Sequence, residues 1–196
     1  MCYGLKDLGH NVTVLTGKPN YPHGSFYKGY SWYTKQVETI KGIRVYRSNL
    51  IPRGNSGGFR LFLNYFSFVF FGSIKLFFIK QKFDKILVFA PSPITVGFIG
   101  IIASFIFRAK PFLWVHDLWP ESLKDAGGIT NKIALGLVNL MTKLIYFFYD
   151  IILVQSPRFK DYLIEQGVSK NKILYYPYYA ESFYKVVKPK LKLKSI

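Results

Sequence analysis

Seven consecutive residues, His116-Asp-Leu-Trp-Pro-Glu-Ser122, hold two carboxylates, an imidazole, a hydroxyl and an indole. Such groups accept, donate or move protons and can grip a polar ligand. Five of them in seven residues exceed what a turn requires. The apolar run in front, 112–115, has the length of a buried strand and stops abruptly at this proline-containing loop. In an open parallel sheet, ligands bind in the crevice beyond the carboxyl ends of the strands, where loops diverge while the strands hold them rigidly. A structural reading competes: the tryptophans plug the sheet end, and Asp117 or Ser122 caps the next helix.

The elements around the loop alternate. Residues 84–90 read as a buried parallel-type strand, and Pro91-Ser-Pro93 opens a helix that reaches Arg108. Downstream, 129–148 is an amphipathic helix with an apolar stripe of Ile133, Leu137, Leu140, Leu144 and Phe148. A strand at 150–156 leads to a helix at 157–166, capped by Ser156 and stopped by Gly167, and 172–177 is the last strand. Upstream, a helix end capped by Gly9 runs into a strand at 12–16, and 36–47 alternates as a hairpin turning at Lys41-Gly42.

Residues 60–82 form a phenylalanine-rich helix interrupted by Lys75, whose uncharged part is shorter than the ~20 residues of a span. A buried or interfacial helix is expected there. The alternation as a whole predicts an α/β protein with a doubly wound parallel sheet, one domain over 1–184, and a basic tail over 185–196. The opening helix end further implies that a first strand lies outside this chain.

The 196 residues carry 27 Lys and Arg against 10 Asp and Glu, a net charge of +17, with 19% aromatic residues. That balance favours an anionic partner. Because the basic residues are interleaved with Phe, Tyr and Ile, an anionic membrane surface fits better than nucleic acid, which calls for a concentrated basic stripe on a polar face. A basic proteome with AT-rich coding bias would produce the same excess. The lone Cys2 rules out an intrachain disulfide and a cysteine cluster and suits a reducing cytosol, and three scattered histidines predict no metal site.

The runs Gly9-His-Asn-Val-Thr-Val-Leu-Thr-Gly-Lys-Pro-Asn-Tyr-Pro22, Gly42-Ile-Arg-Val-Tyr-Arg47, Ile51-Pro-Arg53, Asn64-Tyr-Phe-Ser-Phe68, Ala90-Pro-Ser-Pro93, Asp117-Leu-Trp-Pro-Glu-Ser122 and Tyr176-Pro-Tyr-Tyr-Ala-Glu181 resemble the amino-terminal domain of family 4 glycosyltransferases. The resemblance is nearest to the bacterial WbuB/WcaI-like branch that builds O-antigen, capsule or colanic-acid sugars. It implies the Rossmann-like amino-terminal half of a GT-B fold, with the acceptor on this domain and a nucleotide-sugar co-substrate on a second one. It also implies transfer with retention, no metal and no other cofactor. The acceptor implied is a lipid-linked saccharide at the inner face of the plasma membrane, with the enzyme peripheral on its cytoplasmic side.

By the same resemblance, the glycine-rich loop after the first strand and the carboxyl-terminal donor domain lie outside this chain, which is expected to be inactive alone. A membrane-associated binding module without catalysis and a truncated gene product are the alternatives. Under the resemblance His116 and Asp117 are the catalytic candidates, set to hydrogen-bond the transferring sugar or orient the acceptor hydroxyl. Trp119, Glu121 and Ser122 are candidate substrate contacts, Trp119 as an apolar platform for a pyranose face. Glu121 has a capping role as its alternative. Lys18, Asn20 and Tyr21, on the loop after the strand at 12–16, are further substrate candidates. Lys18 could touch the acceptor diphosphate or be a solvated loop lysine, and Arg53 has the same standing.

Overall fold

The alternation at 36–47 turns back at Lys41 and Gly42, whose φ angles of 47° and 76° give the hairpin turn that matches strand twist. Strands β1 (Thr13–Gly17), β2 (Val37–Ile40) and β3 (Ile43–Ser48) follow the short helix α1 (Cys2–Asp7). β2 pairs antiparallel with β3, and β1 pairs parallel with the other edge of β3, so the order is β1-β3-β2. The computed structural model describes residues 1–55, 57–125, 128–178 and 184–185. Tyr179 to Glu181 of the last quoted run, and all of the expected basic tail except Lys185, lie outside the described residues.

A second sheet contains β4 (Lys85–Ala90), β5 (Lys110–Val115), β6 (Ile151–Val154) and β7 (Ile173–Tyr175), all parallel and in sequence order. Helices α3 (Gly97–Phe107), α5 (Lys132–Phe148) and α6 (Pro157–Glu165) make the crossovers, and the five-residue α4 (Glu121–Asp125) follows β5. This is the expected Rossmann-like α/β layout, a four-stranded all-parallel sheet flanked by helices. It differs from expectation in one respect. The strands form two sheets, because among the described residues no ladder joins β1 to β4. What unites them is α2 (Gly58–Leu76), which packs on β1, β3 and α3, with Tyr46, Leu76, Ile79, Ile99 and Ala103 buried between.

Helix ends follow local chemistry. Ser156 Oγ accepts from Phe159 N at 3.3 Å with Pro157 at the first turn, as expected. Asn131 Oδ1 accepts from Ile133 N and Ala134 N at 3.0 and 3.1 Å, so α5 starts at Lys132 rather than Ile129. α2 ends at Leu76 because the carbonyls of Ile74, Lys75 and Leu76 are taken up by tightened i→i+3 bonds from Phe77, Phe78 and Ile79.

The main core fills the space between the second sheet and α3, α5 and α6, with Leu113, Val115, Ile145, Tyr149, Ile152, Val154 and Leu163 fully enclosed. The apolar stripe of α5 does not join it. Thr142, Ile145 and Tyr146 are the buried residues of that helix, while Ile133, Leu137, Leu140, Leu144 and Phe148 are exposed.

Candidate functional site

β5 sits between β4 and β6 and ends at Val115, in register with Ala90 and Val154. Its buried Leu113, Trp114 and Val115 fix the point from which the chain emerges. His116 N donates to Ala90 O at 3.2 Å, and His116 O accepts from Gln155 Nε2 at 3.3 Å. The loop is therefore tied to both neighbouring strand ends before its side chains begin.

His116 stands among rings. Phe89, Trp114 and Tyr178 have centroids 4.3, 4.4 and 5.1 Å from the imidazole, and Nδ1 is hydrogen-bonded to the Tyr178 hydroxyl. Nε2 is buried without a partner among the described residues. This desolvation holds the pKa of His116 below its ordinary value, partly opposed by Gln155. The imidazole is thus neutral at pH 7.

A stability consequence follows from that shift. The unfolded state takes up a proton near the ordinary histidine value of about 6.5 while the folded state resists it, so stability falls as pH drops through that region. Thermal melts of the wild type and His116→Asn between neutral and mildly acidic pH should converge on acidification. A constant separation would rule out a desolvated imidazole.

Asp117 and Ser122 meet directly. Ser122 Oγ donates to Asp117 Oδ1 and also lies 2.9 Å from Leu118 O, and Trp119 Nε1 donates to Asp117 Oδ2 at 3.2 Å. Asp117 thus braces its own loop through side chains and, among the described residues, takes no helix-end amide, unlike the capping alternative. Trp119 is 8% exposed and belongs to the main core, so its ring plugs the sheet end and no sugar-stacking face is presented. Glu121 Oε2 accepts from Tyr162 of α6 where a cap was the alternative. Burial and the Glu121 carboxylate raise the pKa of Tyr162, which keeps it a donor.

Lys18, Asn20 and Tyr21 lie at the carboxyl end of β1. Lys18 is 1% exposed, and its ammonium donates to Ser31 O and Trp32 O, the latter at 3.0 Å. Burial and the charge of Lys75 push its pKa down. In this conformation it clamps the loop and is not solvated. Asn20 is also buried, its Oδ1 accepting from Arg53 N at 3.1 Å and its Nδ2 donating to Lys18 O at 3.1 Å. Tyr21 alone of the three faces outward. Arg53 covers it at 5.1 Å and covers Tyr65 at 5.5 Å, a guanidinium held between two rings.

Five contributors escaped sequence reasoning: Phe89, Gln155, Tyr162, Tyr178 and the Tyr65 wall of Arg53. Gln155 follows β6 directly and Tyr178 lies three residues beyond β7, so the carboxyl-end rule that found His116 would have found them too. Among the described residues no three His, Cys, Asp or Glu side chains converge where a metal ion could be held.

No curated protein matches the chain. A model of the glycosyl transferase 4-like domain matches residues 1–178, which takes in both sheets and every loop described above. The chain therefore belongs to the glycosyl transferase 4-like domain family.

Proposed function

We propose that this chain is the acceptor-side half of a retaining GT-B glycosyltransferase of the WbuB/WcaI-like kind, acting in bacterial cell-surface polysaccharide synthesis. A sugar passes from a nucleotide-sugar, held on a second donor domain, to a hydroxyl of a lipid-linked saccharide at the cytoplasmic face of the membrane. The observation that carries this reading is the family match over 1–178, which includes a polar loop braced at the carboxyl end of the central strand.

In this reading a sugar hydroxyl entering over Phe89 and Tyr178, which are 44% and 60% exposed, meets the imidazole of His116 at Nδ1, the edge held by the Tyr178 hydroxyl. A neutral imidazole can either donate to or accept from such a hydroxyl. Asp117 fixes the loop that presents it, and the outward Arg53–Tyr21 pair supplies a cation for the acceptor diphosphate in place of the buried Lys18. Stabilisation of the departing nucleotide diphosphate falls to the donor domain, so the chain by itself is inactive.

The test mixes the chain, alone and with a separately produced donor domain, with membranes bearing lipid-linked saccharide and labelled nucleotide-sugars. Label in the lipid extract from the mixture alone is expected. No label from either, with the saccharide still retained by the chain, would overturn transfer and leave a binding module.

A further inference from the structure

Helices α2 and α5 are apolar on their outer sides as well as their inner ones. Beyond Arg60, every exposed position of α2 is apolar: Phe62, Phe66, Phe70 and Ile74, 42–61% exposed. Its buried side holds the polar Asn64 and Ser67. A surface helix ordinarily keeps its outer side polar. α5 likewise turns Leu137, Leu140 and Leu144 outward.

The two stripes are parts of one face. Gly72 of α2 receives Ile99 of α3, and Gly97 of α3 receives Ile145 of α5, each so closely that an added Cβ would lie 2.7 and 2.6 Å from them. On α3, Phe105 is 67% exposed and makes an edge contact with Phe148 of α5. Exposed apolar stripes on helices packed side by side mark an interaction site.

Charge selects the occupant. None of the three helices carries an Asp or Glu, whereas Arg60, Arg108 and Lys143 stand exposed along or at the ends of them, against the one exposed acid Asp150 just beyond α5. A second copy would bring another +17 against the first. An anionic bilayer meets both features, with lipid phosphates for the cations and the headgroup boundary for the phenylalanines.

We propose that the outer face of α2, α3 and α5 docks flat on an anionic lipid bilayer. α2 is long and apolar enough to cross a membrane by length and composition, but its inner side packs on β1, β3 and α3, which holds it in the plane of the interface. The proposal deepens the lipid-linked acceptor reading and its biological sense rests on that reading. The two fail separately, since vesicles free of acceptor test the surface and sugar transfer tests the reaction.

The chain is sedimented with phosphatidylcholine vesicles with and without phosphatidylglycerol, at low and high salt. It should pellet with the anionic vesicles, less at high salt, and the triple variant F62S/F66S/F70S should bind at least about tenfold more weakly while still melting cooperatively, since these side chains are more than half exposed and belong to neither core cluster. In a second measurement, the emission of Phe66→Trp should shift to the blue on adding anionic vesicles. Equal binding by the triple variant, a chain left in the supernatant with every vesicle, or an unshifted tryptophan would each overturn the proposal. So would a wild-type dimer in vesicle-free buffer that the triple variant abolishes, because the face would then be a self-association surface.

Discussion

Gly100→Val should leave little folded protein. A Cβ at Gly100 would lie 2.2 Å from Tyr149 Oη and 2.3 Å from Val88 Cγ2, distances at which something must move, and neither neighbour has room. Tyr149 is fully enclosed and its hydroxyl donates to Gly97 O at 2.7 Å. Val88 is part of β4 and of the same core. Forcing the helix away overpacks the core, about 3 kcal/mol or more for a branched side chain, and the orphaned tyrosine hydroxyl adds roughly 1–3. That is a large share of the 5–15 kcal/mol that domains typically possess. Urea unfolding followed by circular dichroism measures it. The control is Gly136→Ala on α5, where nothing lies within 4 Å, and it should stabilise by about 0.5–1 kcal/mol. Gly100→Val melting like the wild type would show that α3 is not seated on β4 as described.

The same contacts show what the sequence made legible. Strand runs such as 84–90 and 150–156, the Lys41-Gly42 turn and the Ser156 cap are local signals, and each fell within a few residues of its place. The direction of a helix stripe is not local. Ile133, Leu137, Leu140 and Leu144 have the spacing of a core-facing helix, yet they point outward because Ile145 and Tyr146 occupy the inner side. Hydrophobic periodicity gives a face and not what the face meets. The candidate loop was located by strand-end logic, whereas the duties of its members were not. Trp119 could stack or plug, which only burial separates, and Lys18 could bind or stand in solvent, whereas it is buried and clamps the loop. Tyr162 and Glu121 lie 41 residues apart, a pairing that no spacing rule reaches.

Asp117→Ala should lower sugar transfer in the reconstituted assay by about 100-fold, the loss expected when a reacting group is displaced by roughly 1 Å. Both carboxylate oxygens are engaged, one by Ser122 Oγ and one by Trp119 Nε1. Truncation leaves the buried indole nitrogen without its acceptor, which costs about 1–3 kcal/mol of stability, while the Ser122 hydroxyl can turn to Leu118 O, 2.9 Å away. Ser122→Ala should therefore be mild in both respects, and Trp119→Phe, which removes the donor but also opens a gap in the core, should combine with Asp117→Ala at less than the sum of their separate costs. Asp117→Asn separates bracing from contact. Its side-chain oxygen can still accept from one of the two donors, so a residue that only positions the loop should regain much of its turnover, with kcat moving more than KM. If Asp117 also receives the acceptor hydroxyl, Asn should be as poor as Ala while melting like the wild type. Transfer and melting both unchanged in Asp117→Ala would remove Asp117 from the reaction and leave His116, Arg53 and Tyr21 as the remaining substrate candidates.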